Sequence, residues 1–209
     1  MIKFLLADDH HIVRRGLGLT IKDEFSTAEI DECSNGNCVW EKIQRTEYDL
    51  VILDISMPSM DSLLLLKKIF THRPDQKVMI FTMSPVAIYA KRYLALGVKG
   101  FINKEAEPSE VRLGIAAILN NRKYLGSDMK HILTLENKDN LANTPFDCLT
   151  IRELEIMNHL VEGKNVKEIA EMLFLHISTI STHKAKIMLK LEVSNVIELT
   201  RMVQLFNKV

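Results

Sequence analysis

Leu50-Val51-Ile52-Leu53-Asp54-Ile55-Ser56-Met57-Pro58 decides how this chain is read. Four apolar residues run straight into a carboxylate, and a Met-Pro pair follows after two more residues. A short unbroken apolar run suits a strand buried on both faces, as in a parallel sheet. Such a strand hands its last residue to the carboxyl edge of the sheet, where open α/β folds hold their ligands. Asp54 is read as a phosphate acceptor. The alternative at this point is an aspartate that merely caps a loop.

Working outward, the same pattern repeats. Ile2 to Ala7 is an apolar run ending in Asp8-Asp9-His10. Ala28 to Cys33 is a weaker strand closed by Asn35-Gly36, a turn signal. Val78 to Thr82 and Lys99 to Asn103 complete the set, the latter followed by Lys104. Helical spacing separates the strands. Ile12 to Phe25 places Ile12, Leu19 and Phe25 on one side, with Arg14 and Arg15 available to solvent. Further helices are expected at Val39 to Arg45, Ser62 to Phe70, Ile88 to Leu96, stopped by Gly97, and Pro108 to about Leu119. Alternation of this kind predicts a doubly wound five-stranded parallel sheet with helices on both faces. Strand carboxyl ends share one edge of such a sheet, so Asp8, Asp9, Asp54, Thr82 and Lys104 converge.

After Asn120 the texture changes. Residues 121–147 read as a linker, with a short extra helix near Met129 to Leu135. From 148 to 209 the pattern is purely helical: Arg152 to Val161, Val166 to Leu173, Thr179 to Leu191 and Asn195 to Phe206. The chain therefore divides into 1–120, 121–147 and 148–209.

Lysine plus arginine and aspartate plus glutamate both number 27, so the net charge is zero and any basic surface must be local. The longest apolar runs fall far short of the roughly 20 residues that a membrane span needs. Cys33, Cys38 and Cys148 lack metal-site spacing and read as reduced thiols, with proximity of Cys33 and Cys38 as the alternative to ordinary buried or half-buried residues; with the missing signal segment this places the expected protein in the cytoplasm.

Clustered acids suit Mg2+, which prefers oxygen ligands and keeps several waters. A carboxylate also attacks phosphorus, giving an aspartyl phosphate, and the transfer needs mainly positioning and charge neutralisation. Asp8, Asp9 and Asp54 supply the candidate metal site, Lys104 a fixed cation and Thr82 a hydroxyl.

Residues 1–120 resemble the receiver domain of bacterial response regulators. The resemblance rests on Leu6-Ala7-Asp8-Asp9-His10, on Asp49 to Asp61, on Ile80-Phe81-Thr82-Met83-Ser84 and on Gly97 to Lys104. It implies a flavodoxin-like sheet of order 2-1-3-4-5. It also implies that Asp54 takes phosphate from a histidine kinase. Asp9, Asp54 and the Ser56 backbone carbonyl would then ligate Mg2+, with Asp8 acting through water. Thr82 and Lys104 would bind the phosphoryl oxygens, and Phe101 matches the switch aromatic. Ser62 departs from the usual glycine and is expected to alter the loop after Asp54.

At the carboxyl end, Val166 to Leu173 is a short amphipathic helix followed by a tight turn and a longer helix. Ile180, Ile187 and Leu191 share one face of the latter. Lys184, Lys186 and Lys190 lie in a span without acids. A helix pair of this form is a helix-turn-helix, in which lysines meet phosphates and short hydroxyl side chains reach base edges. A plain four-helix bundle with a solvated lysine face is the alternative from periodicity. Residues 148–209 also resemble the LuxR-type DNA-binding domain, through Leu149 to Glu153, Glu162 to Ala170, and Thr179 to His183 with Ile187, Lys190 and Leu191. Receiver plus this domain is the NarL/FixJ arrangement. The resemblance implies DNA contacts from Lys167, Ser178, Thr179, Ser181, Thr182, Lys184, Ala185 and Lys186. Val166, His176 and Ser181 depart from the family pattern, and Ser178 is expected to replace the missing cap.

The expected function is a phosphorylation-controlled transcription factor, not an enzyme acting on others, that dimerises on paired half-sites of double-stranded DNA. Two alternatives are a Mg2+-dependent phosphohydrolase, disfavoured by Ser56 where that class places an acid, and a protein-binding module.

Overall fold

The computed structural model describes residues 1–57, 60–84, 86–126 and 144–207. The amino-terminal half is a parallel sheet: β1 (Lys3–Ala7), β2 (Glu29–Cys33), β3 (Leu50–Leu53), β4 (Val78–Thr82), β5 (Gly100–Asn103) and β6 (Tyr124–Leu125). Its order is β2-β1-β3-β4-β5-β6. Helices α1 (His11–Glu24), α2 (Gly36–Arg45), α3 (Ser62–His72), α4 (Val86–Ala95) and α5 (Pro108–Leu119) alternate with the strands.

The strand period of two sorts the core. Leu5, Ala7, Val51, Leu53, Val78, Ile80 and Phe101 face the side covered by α2, α3 and α4. Phe4, Leu6, Leu50, Ile52, Met79, Phe81 and Ile102 face α1 and α5. Central β3 is buried throughout, whereas β2 at the edge carries exposed polar residues. This explains why β3 reads clearly in sequence and β2 weakly.

The sheet has a sixth strand, which corrects the expected five. Residues Tyr124 and Leu125 pair parallel with Gly100 and Phe101. They fall inside the stretch read as linker, and a 3-10 turn at Pro145–Cys148 spans its end. A two-residue strand shows no alternation to detect. Gly100 makes room for it: a Cβ there would lie 3.2 Å from the Tyr124 carbonyl oxygen and 2.4 Å from Ile118 Cδ1. The helix expected at 129–135 lies outside the described residues.

Other expectations also need correction. In α1, Leu17 and Ile21 are buried and Phe25 packs against the same core, while Ile12 and Leu19 are exposed, so the three expected residues do not share a face. Arg14 is not left to solvent; it donates to Glu32 (2.7 Å) and to the Asp8 carbonyl (2.7 Å). Asn35 is the N-cap of α2, its side chain accepting from the Cys38 N–H, and Gly36 is the first helical residue. Cys33 and Cys38 form a disulfide, whereas Cys148 is a free thiol.

The carboxyl-terminal half contains α6 (Ile151–Val161), α7 (Val166–Met172), α8 (Ile177–Lys190) and α9 (Val196–Asn207). Thr150 with Glu153, and Asn165 with Glu168, close capping boxes at the starts of α6 and α7. Gly163, at φ +86°, follows α6 in the left-handed region. Ile180, Ile187 and Leu191 are buried on one face of α8, as their spacing predicts. Their core is continuous with that under α4.

Candidate functional site

The sheet brings Asp8 and Asp54 to its carboxyl edge, each 2% exposed. The Lys104 ammonium at the end of β5 bridges them, with Nζ 2.7 Å from Asp8 Oδ2 and 2.6 Å from Asp54 Oδ2. The Ser56 N–H donates to the other Asp54 oxygen at 3.0 Å. One ligand atom each from Asp8, Asp9, His10 and Asp54 lies within 4.8 Å of the others. Asp9 Oδ1 is buried without a hydrogen-bond partner. The His10 ring nitrogen stands 3.0 Å away but lacks hydrogen-bond alignment. An orphaned carboxylate oxygen beside two buried carboxylates fits a hard divalent cation.

Burial pushes the Asp54 carboxyl above its ordinary range; Lys104 and the Ser56 N–H act against this, and Asp8 adds to it. Burial alone would lower the Lys104 ammonium, but Asp54 and Asp8 outweigh it and raise the pKa. Lys104 is therefore a fixed cation between Asp8 and Asp54.

Thr82 is fully buried at the end of β4. Its hydroxyl accepts from the Ser84 N–H at 3.2 Å and lies 3.4 Å from Ser56 Oγ. Ser56 Oγ is in turn 3.3 Å from Ser84 Oγ, which accepts from Asn158 Nδ2 of α6 at 3.3 Å. A chain of hydroxyls thus runs from the loop after Asp54 into the helical half.

A second route starts at Phe101, which is fully buried and packs edge-on against Tyr93, 6.1 Å between ring centres. The Tyr93 hydroxyl meets Ser62 Oγ at 2.9 Å, and Tyr89, 6.4 Å from Tyr93, donates to the Leu154 carbonyl of α6 at 2.8 Å. The departure at Ser62 thereby acquires a reason, since its hydroxyl satisfies a buried phenol. Arg92 adds bonds to the carbonyls of Phe146 (2.9 Å) and Asp147 (2.8 Å). Arg152 of α6 lies 3.5 Å from Asp61 at the start of α3. Glu155 is buried at this junction, and that burial raises its carboxyl pKa against the pull of Arg152. Sequence reasoning named neither Tyr89, Arg92, Tyr93 nor Asn158. Asp61, Ser84 and Arg152 lay in quoted motifs, but without a part in the junction.

On α8, Ser178, Ser181, Thr182, Ala185 and Lys186 are exposed, and Thr179 and Lys184 are half-buried. Lys167 is exposed on neighbouring α7. The amino-terminal half leaves this face uncovered. Lys190 departs from the expected basic patch, because its ammonium is held 2.6 Å from Glu153. His176 is the N-cap of α8 without a side-chain cap bond, and Ser178 lies inside the helix, so the expected cap by Ser178 is not made. Val166 opens α7 and packs against the helical core. Phe174 takes φ +51° in the turn between α7 and α8.

The family described as the response regulator receiver domain matches residues 4–116. The chain belongs to the response-regulator family. The family of bacterial regulatory proteins of the luxR type matches residues 147–203. The oxygen regulatory protein NreC of Staphylococcus haemolyticus is 32% identical over 207 residues, covering 95% of this chain and 94% of the relative. YhcZ of Bacillus subtilis, a transcriptional regulatory protein, is 31% identical over 195 residues, covering 93% and 91%. Among solved structures, RcsB of Salmonella enterica bound to the promoter P1flhDC with the phosphomimetic BeF3- has a TM-score of 0.73 at 25% identity, covering 97% and 98%. Another Salmonella typhimurium RcsB structure has a TM-score of 0.78 at 24% identity, covering 98% of both chains. This regulator is thus a DNA-binding response regulator of the NarL/FixJ type, with a flavodoxin-like sheet and a LuxR-type helix-turn-helix.

Proposed function

We propose that Asp54 accepts a phosphoryl group from a sensor histidine kinase and that this modification controls how the regulator binds promoter DNA. The bridge from Lys104 to Asp8 and Asp54 is the observation that carries the reading. Asp9, Asp54 and the Ser56 carbonyl would hold Mg2+, with Asp8 acting through water; the ion supplies neutralisation of the phosphoryl oxygens. Asp54 attacks phosphorus as a carboxylate. Lys104 and the Thr82 hydroxyl then take up the charge on the phosphoryl group.

For Thr82 to reach that group, its hydroxyl must leave the Ser84 N–H and the Ser56 hydroxyl. The side-chain hydroxyl of the same Ser84 accepts from Asn158, so a shift of Ser84 that follows Thr82 weakens a bond between the halves. Phe101 supports the same coupling, because its movement unseats Tyr93 and Tyr89 above α6. Phosphorylation in this account loosens α6 from α4 and frees the helical half to pair with a second copy.

Exposed Ile12, Leu19 and Leu113 lie on α1 and α5, which cover one face of the sheet and offer that copy an apolar surface. A two-fold dimer presents two α8 helices to paired half-sites. Lys167, Lys184 and Lys186 then meet phosphates, while Ser178, Thr179, Ser181, Thr182 and Ala185 face base edges. The place of β6 in the sheet supports a receiver that takes in Tyr124 and Leu125, and the 3-10 turn at Pro145–Cys148 supports a DNA-binding domain that starts there. Among the described residues no helix is long and apolar enough to cross a membrane, which is compatible with work on DNA in the cytoplasm.

Incubation with acetyl phosphate and Mg2+ tests the acceptor. Intact-mass measurement is expected to show one phosphoryl group on the wild-type chain and none on Asp54→Ala. A mutant that gains as much as wild type overturns the assignment.

A further inference from the structure

The Cys33–Cys38 disulfide takes no part in the chemistry above, yet it borders the acceptor site. Cys33 ends β2 and is buried, and Cys38 lies half-buried in the first turn of α2, with 5.6 Å between the Cα atoms. The Cys33 carbonyl accepts the N–H of Asp8 at 3.1 Å. The bond closes a small loop that contains Asn35, the cap of α2, and Gly36. A Cβ on Gly36 would stand 2.8 Å from Met60 Cγ, so this loop lies directly against buried Met60. Met60 belongs to the segment joining Asp54 to α3. One covalent link therefore ties together the backbone partner of Asp8 and a support of the acceptor loop.

A protein that acts on DNA works among reduced thiols, where disulfides are as a rule transient and redox-sensing. We propose that Cys33–Cys38 is a reversible thiol–disulfide site whose state sets how readily Asp54 accepts phosphate, an inference that rests on the acceptor reading of Asp54. The reductant is a low-molecular-weight thiol. Its thiolate attacks the accessible Cys38 sulfur, forming a mixed disulfide and releasing the Cys33 thiolate. A second external thiolate attacks the external sulfur and releases the Cys38 thiolate. Two external thiols become one disulfide as the protein pair gains two electrons, and a low-molecular-weight disulfide drives the reverse. The oxidised form holds Asp8 and the Met60 segment in place. The reduced form frees the loop of residues 34–37 and slows phosphorylation.

The test equilibrates the full chain in glutathione–glutathione disulfide buffers from reducing to oxidising. Alkylation and mass measurement read the thiol pair, and label transfer from acetyl phosphate with Mg2+ gives the phosphorylation rate. The expected result is one thiol–disulfide transition, with the rate falling severalfold on reduction at the same midpoint. Cys38→Ser should show the slow rate in every buffer, and Cys148→Ser should follow wild type. A pair that stays entirely thiol or entirely disulfide overturns the proposal, as does a wild-type rate that ignores the transition. Absence of phosphoryl transfer in both forms refutes the acceptor assignment itself, and the proposal with it.

Discussion

Arg92→Met removes two hydrogen bonds across the regulator's junction. The Arg92 guanidinium donates to the carbonyls of Phe146 and Asp147, at the entrance to the DNA-binding half. Hydrogen bonds from a charged donor contribute about 1.5–3 kcal/mol each when the alternative is an unmet acceptor. Here one nitrogen serves both carbonyls, and both partners regain water once the halves part. The pair is therefore worth about 2 kcal/mol, which raises the open-to-closed ratio by about thirtyfold. Methionine keeps much of the apolar stem, so packing against the core changes little. Hydrogen exchange of the unphosphorylated chain reads this ratio at amides shielded by the junction, in α4 and in the turn at 145–148. Rates there are expected to rise by about that factor, while those in β1 and β3 stay as in wild type. Unchanged exchange on both sides of the junction would refute the reasoning, because the two carbonyl bonds would then not hold the halves together.

Three other outcomes follow from individual contacts. Ser62→Ala leaves the buried Tyr93 hydroxyl without its partner, so urea unfolding should show a loss of about 1–3 kcal/mol, part of which Tyr93→Phe restores in the same background. Burial alone would raise the Glu153 pKa, but Lys190 and the Thr150 donors outweigh it and bring it below its ordinary value of 4.5. Its stabilisation is therefore present above that value and lost as pH falls through the folded one; Glu153→Gln should flatten this acid-side loss in urea midpoints measured from pH 6 downward. Lys184→Ala with Lys186→Ala should weaken DNA binding and reduce the log–log salt slope by roughly one unit per lysine, whereas a slope equal to wild type would show that neither lysine meets a phosphate.

The convergence of Asp8, Asp54, Thr82 and Lys104 was legible because each of them ends or directly follows a buried strand. Four-residue apolar runs announce such strands, and the sheet's parallel order then gathers their ends at one edge. Lys104 could be placed beside Asp54 without any knowledge of the intervening helices. The junction was not legible. Tyr89, Arg92 and Asn158 acquire meaning from contacts across more than fifty positions of sequence, and nothing local marks them. Helix α1 misled for a different reason: Ile12, Val13, Leu17, Leu19 and Ile21 spread apolar residues around much of its circumference, so periodicity alone did not choose the buried side. The cysteines show the limit of reasoning from spacing. Five residues apart, they carry no signal until a strand end and a helix start bring them together.

The coupling of Asp54 to DNA is the centre of this account, and a single titration tests it most directly. Affinity for the regulator's own upstream DNA is measured at fixed salt, with and without acetyl phosphate and Mg2+, for wild type and for Asp54→Asn. The account predicts tighter binding and a heavier protein assembly in phosphorylated wild type, with no response from Asp54→Asn. Equal affinity in both wild-type states, or an equal response from the mutant, would contradict it.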